Sequence, residues 1–162
     1  ECCGHLSAFT IHEEQYESNP DTDAFWGIPS RNMNYRLKDV VDVGDNFLYE
    51  YDFGSTTELV LSIHSCRDGE KKNNEIVILS RNNPPKILCS NCEQNEAKWV
   101  NPEGYYEGEP FWCDECLEAE NDEEGEDYEL EFLLPVSNSP RMGVCGYEGS
   151  DSYPDQFEPD EQ

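Results

Sequence analysis

The chain has 162 residues, with 37 acids against ten lysines and arginines and a formal net charge of −27. That length suits one ordinary domain or a domain with a small metal module, and so negative a field repels phosphate backbones, which argues against direct nucleic-acid binding. No apolar run nears the roughly 18 residues of a membrane span, and no secretory leader stands at the start. The reading is a cytoplasmic protein with no membrane segment. The chain opens on Glu1-Cys2-Cys3 without a methionine and reads as a piece of a longer protein.

In chain order, Leu6, Ala8 and Thr10 alternate with Phe9 and Ile11 within ECCGHLSAFTIHEEQY, which predicts a strand. Residues 17–23 are polar and broken by Pro20, and the patch Ala24-Phe25-Trp26-Gly27-Ile28 is expected to tuck aromatic bulk against a core. In residues 34–41 (NYRLKDVV), Tyr35 or Leu37 lies at helical spacing from Val40 and Val41. That predicts a short helix capped by Asn34 and closed by Gly44.

The clearest period follows. Phe47, Tyr49, Tyr51 and Phe53 form an aromatic face opposite Leu48, Glu50 and Asp52. After Gly54-Ser55 a second alternation runs through Thr57, Leu59, Leu61 and Ile63, so a long antiparallel hairpin is predicted. Residues 75–80 (EIVILS) read as a third strand, with the segment around Leu37 as a cover for the sheet. Residues 81–86 (RNNPPK) read as a stiff linker. Residues 117–127 are nearly all acid, a solvated helix or loop, and residues 128–136 (YELEFLLPV) read as a strand returning to the sheet. From Leu117 onward fifteen acids face the single base Arg141.

Together these elements predict an α+β fold: a mainly antiparallel sheet with one or two short helices, plus an inserted four-cysteine zinc ribbon. Residues 1–86 and 128–149 make up the sheet domain and 87–117 the ribbon. Residues 118–127 form an acidic linker and 150–162 a mobile acidic tail.

The ribbon carries the most specific chemistry. Cys89/Cys92 and Cys113/Cys116 are two C-x-x-C pairs across a twenty-residue insert. Each such knuckle places two sulfurs on one turn, and two knuckles complete a tetrahedral four-cysteine shell for Zn2+ with no open position. Paired disulfides and a rubredoxin-like iron site are the competing readings. Acids beside the site (Glu93, Asp114, Glu115) are expected to raise the thiol pKa values. Cys2, Cys3, His5 and Cys145 form a second, weaker candidate metal set, and Cys66 reads as a small core residue. His12 and His64 read as strand residues. No nucleophile–base arrangement is placed by the sequence, so no catalytic residue is assigned.

Tyr51-Asp52-Phe53-Gly54 at the end of the aromatic strand resembles the YDFG hallmark of a plasmid open-reading-frame family, whose members are often labelled mobile-element passenger proteins. Residues 2–9 (CCGHLSAF), 49–59 (YEYDFGSTTEL), the ribbon and 133–147 (LLPVSNSPRMGVCGY) extend the likeness over most of residues 2–147. In that family YDFG usually continues with an acid, a tryptophan and a histidine; here it continues Ser55-Thr56-Thr57. The resemblance implies an α+β fold with a mainly antiparallel sheet and no particular activity.

The function these features favour is a non-enzymatic zinc-binding interaction module whose acidic surface meets a basic protein partner. An accessory role in mobile-element or other nucleic-acid transactions, including nucleic-acid mimicry, is the alternative. An enzyme whose catalytic part lies partly outside this chain is the third.

Overall fold

In the computed structural model the described residues are 4–20, 29–69, 78–106, 108–124 and 132–150. The chain divides at residues 76/77 into two compact units. As the sequence predicts, the fold class is α+β: eight short strands, mostly antiparallel, with one α-helix among the described residues.

The first unit is built on a five-stranded sheet in the order β3-β2-β1-β4-β5. Its members are β1 (Ser7–Ile11), β2 (Glu14–Glu17), β3 (Arg31–Asn32), β4 (Asn46–Tyr51) and β5 (Thr57–Ser62). The predicted hairpin is present, with Phe47 opposite Leu61, Tyr49 opposite Leu59 and Tyr51 opposite Thr57. β1 lies antiparallel against β4, with Phe9 opposite Tyr49, while β2 pairs with β3 in parallel. Ile11, Tyr16 and Phe47 are buried together, with Phe9, Met33, Val40, Val41, Leu61 and Ile63 packed on them. The aromatic face of β4 is therefore a core face, and the Phe9 and Tyr49 rings meet at 4.6 Å.

Three expectations for this unit change. The single N-terminal strand is a hairpin: the chain reverses at His12 and Glu13, whose φ values of 50° and 67° are both left-handed. Two consecutive left-handed residues make the type I′ geometry that suits a two-residue hairpin. No Asn-Gly marks this turn in the sequence, and His12 consequently lies in a turn; His64 falls just past the end of β5 and is exposed. The predicted helix over 34–41 is only a 3-10 turn, Leu37–Asp39, with Arg36 extended and no side-chain cap. Asn34 instead gives its amide to Asn32 Oδ1 at 2.9 Å, and the β-branched pair Val40-Val41 disfavours continuation. Leu37 is exposed, so the cover for the sheet comes from Val40 and Val41. Of the predicted third strand, residues 75–77 lie outside the described residues and residues 78–80 are not in a strand. The patch Ala24–Ile28 also lies outside them.

The YDFG residues form a built turn. Asp52 is buried at φ 63°, and its Oδ1 accepts the amides of Gly54 (3.2 Å) and Ser55 (3.4 Å). Its own amide reaches Leu6 O at 2.9 Å. Tyr51 is buried, and its hydroxyl accepts the His5 amide at 3.1 Å. An Asx turn of this kind satisfies local donors and tolerates left-handed backbone, which is why aspartate suits the position.

The second unit holds a three-stranded sheet in the order β7-β6-β8, formed by β6 (Trp99–Val100), β7 (Phe111–Trp112) and β8 (Leu134–Pro135), with α1 (Asp114–Glu124) after β7. The LLPV segment does not return to the first sheet as predicted. It pairs instead with β6, Val100 opposite Leu134. The physical reason is burial: a two-stranded, two-residue ribbon cannot cover Val100, and β8 brings Leu134 beside it. Residues 128–131 lie outside the described residues, as do residues 151–162 of the expected tail. The predicted linker is tied down at its start: Asn82 Nδ2 donates to Asn138 Oδ1 (3.3 Å), Asn138 Nδ2 donates to the Asn82 backbone carbonyl (3.0 Å), and Arg81 donates to Asn138 O at 3.2 Å. Among the described residues no helix is long and apolar enough to cross a membrane.

Candidate metal centre

The centre is assembled by two turns held against one hairpin. The first knuckle is closed by backbone: Glu93 N donates to Cys89 O, and Cys89 N to Asn95 O, both at 2.9 Å. Glu93 takes a left-handed φ of 55° to turn the chain. Ser90 locks this knuckle to β7, donating its amide to Phe111 O (2.8 Å) and accepting the Phe111 amide on Oγ (3.1 Å). The hairpin aligns Trp99 with Trp112 and Val100 with Phe111, so Cys113 emerges from β7 beside the first knuckle. The turn between β6 and β7 depends on Gly104, where a Cβ would approach Glu109 O to 3.0 Å and Pro110 Cα to 3.1 Å. Cys113 immediately precedes α1 and Cys116 lies in its first turn, so the second knuckle is carried by the start of the helix.

The result brings together all four sequence-predicted ligands. The sulfurs of Cys89, Cys92, Cys113 and Cys116 lie within 4.8 Å of one another, with Cys89 and Cys113 buried. Zn–S bonds of about 2.3 Å in a tetrahedron require sulfurs about 3.8 Å apart; Cys92 Sγ and Cys113 Sγ are 3.9 Å apart. The group is compatible with a metal ion. None of the four is in a disulfide.

The thiols differ in acidity. The amides of Asn95 and Gln94 pull Cys92 down to about 6. Burial, with hydrogen bonds among the sulfurs, pushes Cys116 up to about 12. Burial also raises Cys113; at Cys89 burial resists ionisation, but the surrounding amides outweigh it and the thiol is lowered. The expectation that flanking acids raise every thiol is thus corrected. Asp114 is engaged by Lys98 and by Trp99 Nε1 at 2.8 Å, and Glu115 accepts from Asn95 at 3.3 Å.

Sequence reasoning misses Asn95. Its Nδ2 lies 3.7 Å from Cys113 Sγ, linking the second knuckle to the first. Its place three residues after Cys92 is the available signal. Of the second candidate set, Cys2 and Cys3 lie outside the described residues. His5 sits against the YDFG turn, its Nδ1 3.6 Å from Asp52 Oδ1, and Cys145 is exposed. The described residues contain one group of three or more such ligands, the four cysteines. Cys66 is exposed, so it is not the core residue expected.

Comparison with protein-family models, with curated proteins and with solved structures finds no match.

Proposed function

We propose that the protein is a non-enzymatic zinc-binding interaction module whose acidic surface receives a basic protein partner. The observation that carries this reading is the closed sulfur shell. Four converging cysteine sulfurs saturate a tetrahedral zinc ion and leave no position for water or substrate, the arrangement of a structural site rather than a catalytic one. The ion would hold the two knuckles together; Cys89, Cys92, Cys113 and Cys116 would be its ligands. Zinc is favoured over harder cations because all four donors are soft thiolates. The net charge of −27 supplies the partner class, since it favours association with basic surfaces and opposes phosphate. Titration of the zinc-loaded chain with basic peptides at low and high salt tests the reading. Binding that weakens steeply with salt supports it, and binding indifferent to salt overturns it.

A second reading is an accessory role in mobile-element or other nucleic-acid transactions, including nucleic-acid mimicry. It draws on the YDFG resemblance, and the support is that those residues form a structured turn at a strand end, with Tyr51 and Asp52 buried and Phe53 exposed. A duplex DNA and single-stranded RNA titration separates direct from indirect association: binding at low salt favours contact with nucleic acid, and its absence leaves action through a protein.

A further inference from the structure

We propose that the cavity of about 300 Å³ beside Tyr16 and Tyr35 in the first unit receives the lysine or arginine side chain of the basic partner. This rests on the interaction-module reading and names the site where it operates.

The walls come from β2, β3 and the 3-10 turn with its following loop. Tyr16 and Tyr35 meet edge to face, with centroids 5.3 Å apart. The Arg31 guanidinium already lies 5.9 Å from one ring centroid and 6.0 Å from the other. Those distances are the range in which a ring quadrupole attracts a cation. The aromatic pair is therefore a cation-receiving surface with an internal cation against it.

The charges decide which guest fits. Arg31 is neutralised by Glu14 at 2.6 Å, and His12 Nε2 is held by Asp45 Oδ2 at 2.8 Å. Asp39 and Asp42 also line the cavity, and neither has an ion-pair partner among the described residues. Lys38 is the single opposing permanent cation without one. A phosphate or carboxylate entering here would meet the carboxylates of Asp39 and Asp42, with Glu14 already engaged by Arg31. A lysine or arginine would lay its aliphatic stem on Val40 and Val41 and present its head to Tyr35 and the two aspartates. The chain's overall negative field steers the same guest.

The test is fluorescence anisotropy of a short fluorescein-labelled arginine–glycine peptide, with lysine–glycine and glutamate–glycine versions, on the full zinc-loaded chain. The Asp39→Asn/Asp42→Asn variant is expected to bind the cationic peptides up to about tenfold more weakly, the combined size of two exposed ion pairs. The charge-matched variant Glu118→Gln/Glu120→Gln on α1 is expected to change binding less than about twofold. In the unaltered chain, the Tyr16 and Tyr35 ring resonances should shift on peptide addition, a readout that does not depend on any variant folding. Equal weakening by the two double variants, or unshifted tyrosine rings alongside binding, overturns this site while leaving a basic partner in place. No binding of either cationic peptide at low salt overturns the interaction-module reading itself.

Discussion

Removing the metal from the cysteine centre is expected to unfold the small sheet around it. The buried apolar side chains described in this unit, apart from the cysteines, are Ala97, Val100, Pro110 and Leu134. Burying a side chain of valine or leucine size contributes about 1.5–3 kcal/mol. The strands they sit on are two residues each, so the backbone ladder is short. Structural zinc held by small domains contributes about 10–16 kcal/mol of folding free energy at neutral pH. That exceeds what those four side chains supply, so the sheet β6–β8 and the start of α1 should be metal-dependent.

The assay begins with native mass spectrometry of the reduced protein, where one zinc per chain is expected. A high-affinity chelator is then added at neutral pH. Amide exchange in β6 should rise by orders of magnitude, and the emission of the paired Trp99 and Trp112 should move toward that of exposed indole. Restoring zinc should reverse both changes. A reduced, metal-free chain that keeps its β6 protection and its tryptophan emission would refute the reasoning, because packing alone would then hold the four sulfurs together.

The other expectations probe single side chains. Asn95→Ala removes the amide beside Cys113 Sγ and should lower zinc affinity by about tenfold or more, as loss of outer-shell partners does; competition with a chromophoric chelator measures it. Asp52→Ala strips the acceptor from the Gly54 and Ser55 amides and places alanine at φ 63°, so it should destabilise the first unit by about 1–3 kcal/mol in urea unfolding. Asp52→Asn, which keeps the acceptor, should recover most of that loss. Glu13→Gly relieves a left-handed residue at φ 67° and should stabilise by about 1 kcal/mol, read as a higher urea midpoint at unchanged slope. The Lys98–Asp114 pair sets a pH window. Asp114 holds the Lys98 ammonium above its usual range, and Lys98 lowers the Asp114 carboxyl, with Trp99 adding to the latter. The pair's contribution is therefore present above the unfolded carboxylate value and below the unfolded ammonium value, fading as pH falls through the folded Asp114 value or rises through the folded Lys98 value. The stability difference between the parent and Lys98→Met should follow that window in zinc-saturated samples; a difference independent of pH would break the assignment.

What the sequence revealed divides along a physical line between patterns set by local chemistry and pairings set by burial. The β4–β5 hairpin was legible because Phe47, Tyr49 and Tyr51 repeat every second residue on one face, and a period of two means a strand wherever it stands. The convergence of the four cysteines was legible because a C-x-x-C spacing is itself the geometry of a metal knuckle. The turn at His12-Glu13 was not. Left-handed backbone there is imposed by the pairing of Phe9 with both Tyr16 and Tyr49, and no local residue preference announces it. The partner of Leu134 was likewise hidden, because an apolar run states that a strand needs cover without stating which sheet it covers. The Tyr16–Arg31–Tyr35 arrangement joins both cases. Its three residues sit on β2, on β3 and just before the 3-10 turn, and they become neighbours only through a hairpin that the sequence concealed. In a chain dominated by acids, the composition indicated that a cation would be welcome. Only the register of β2 against β3, with Tyr16 opposite Arg31, locates a surface with the chemistry to hold one.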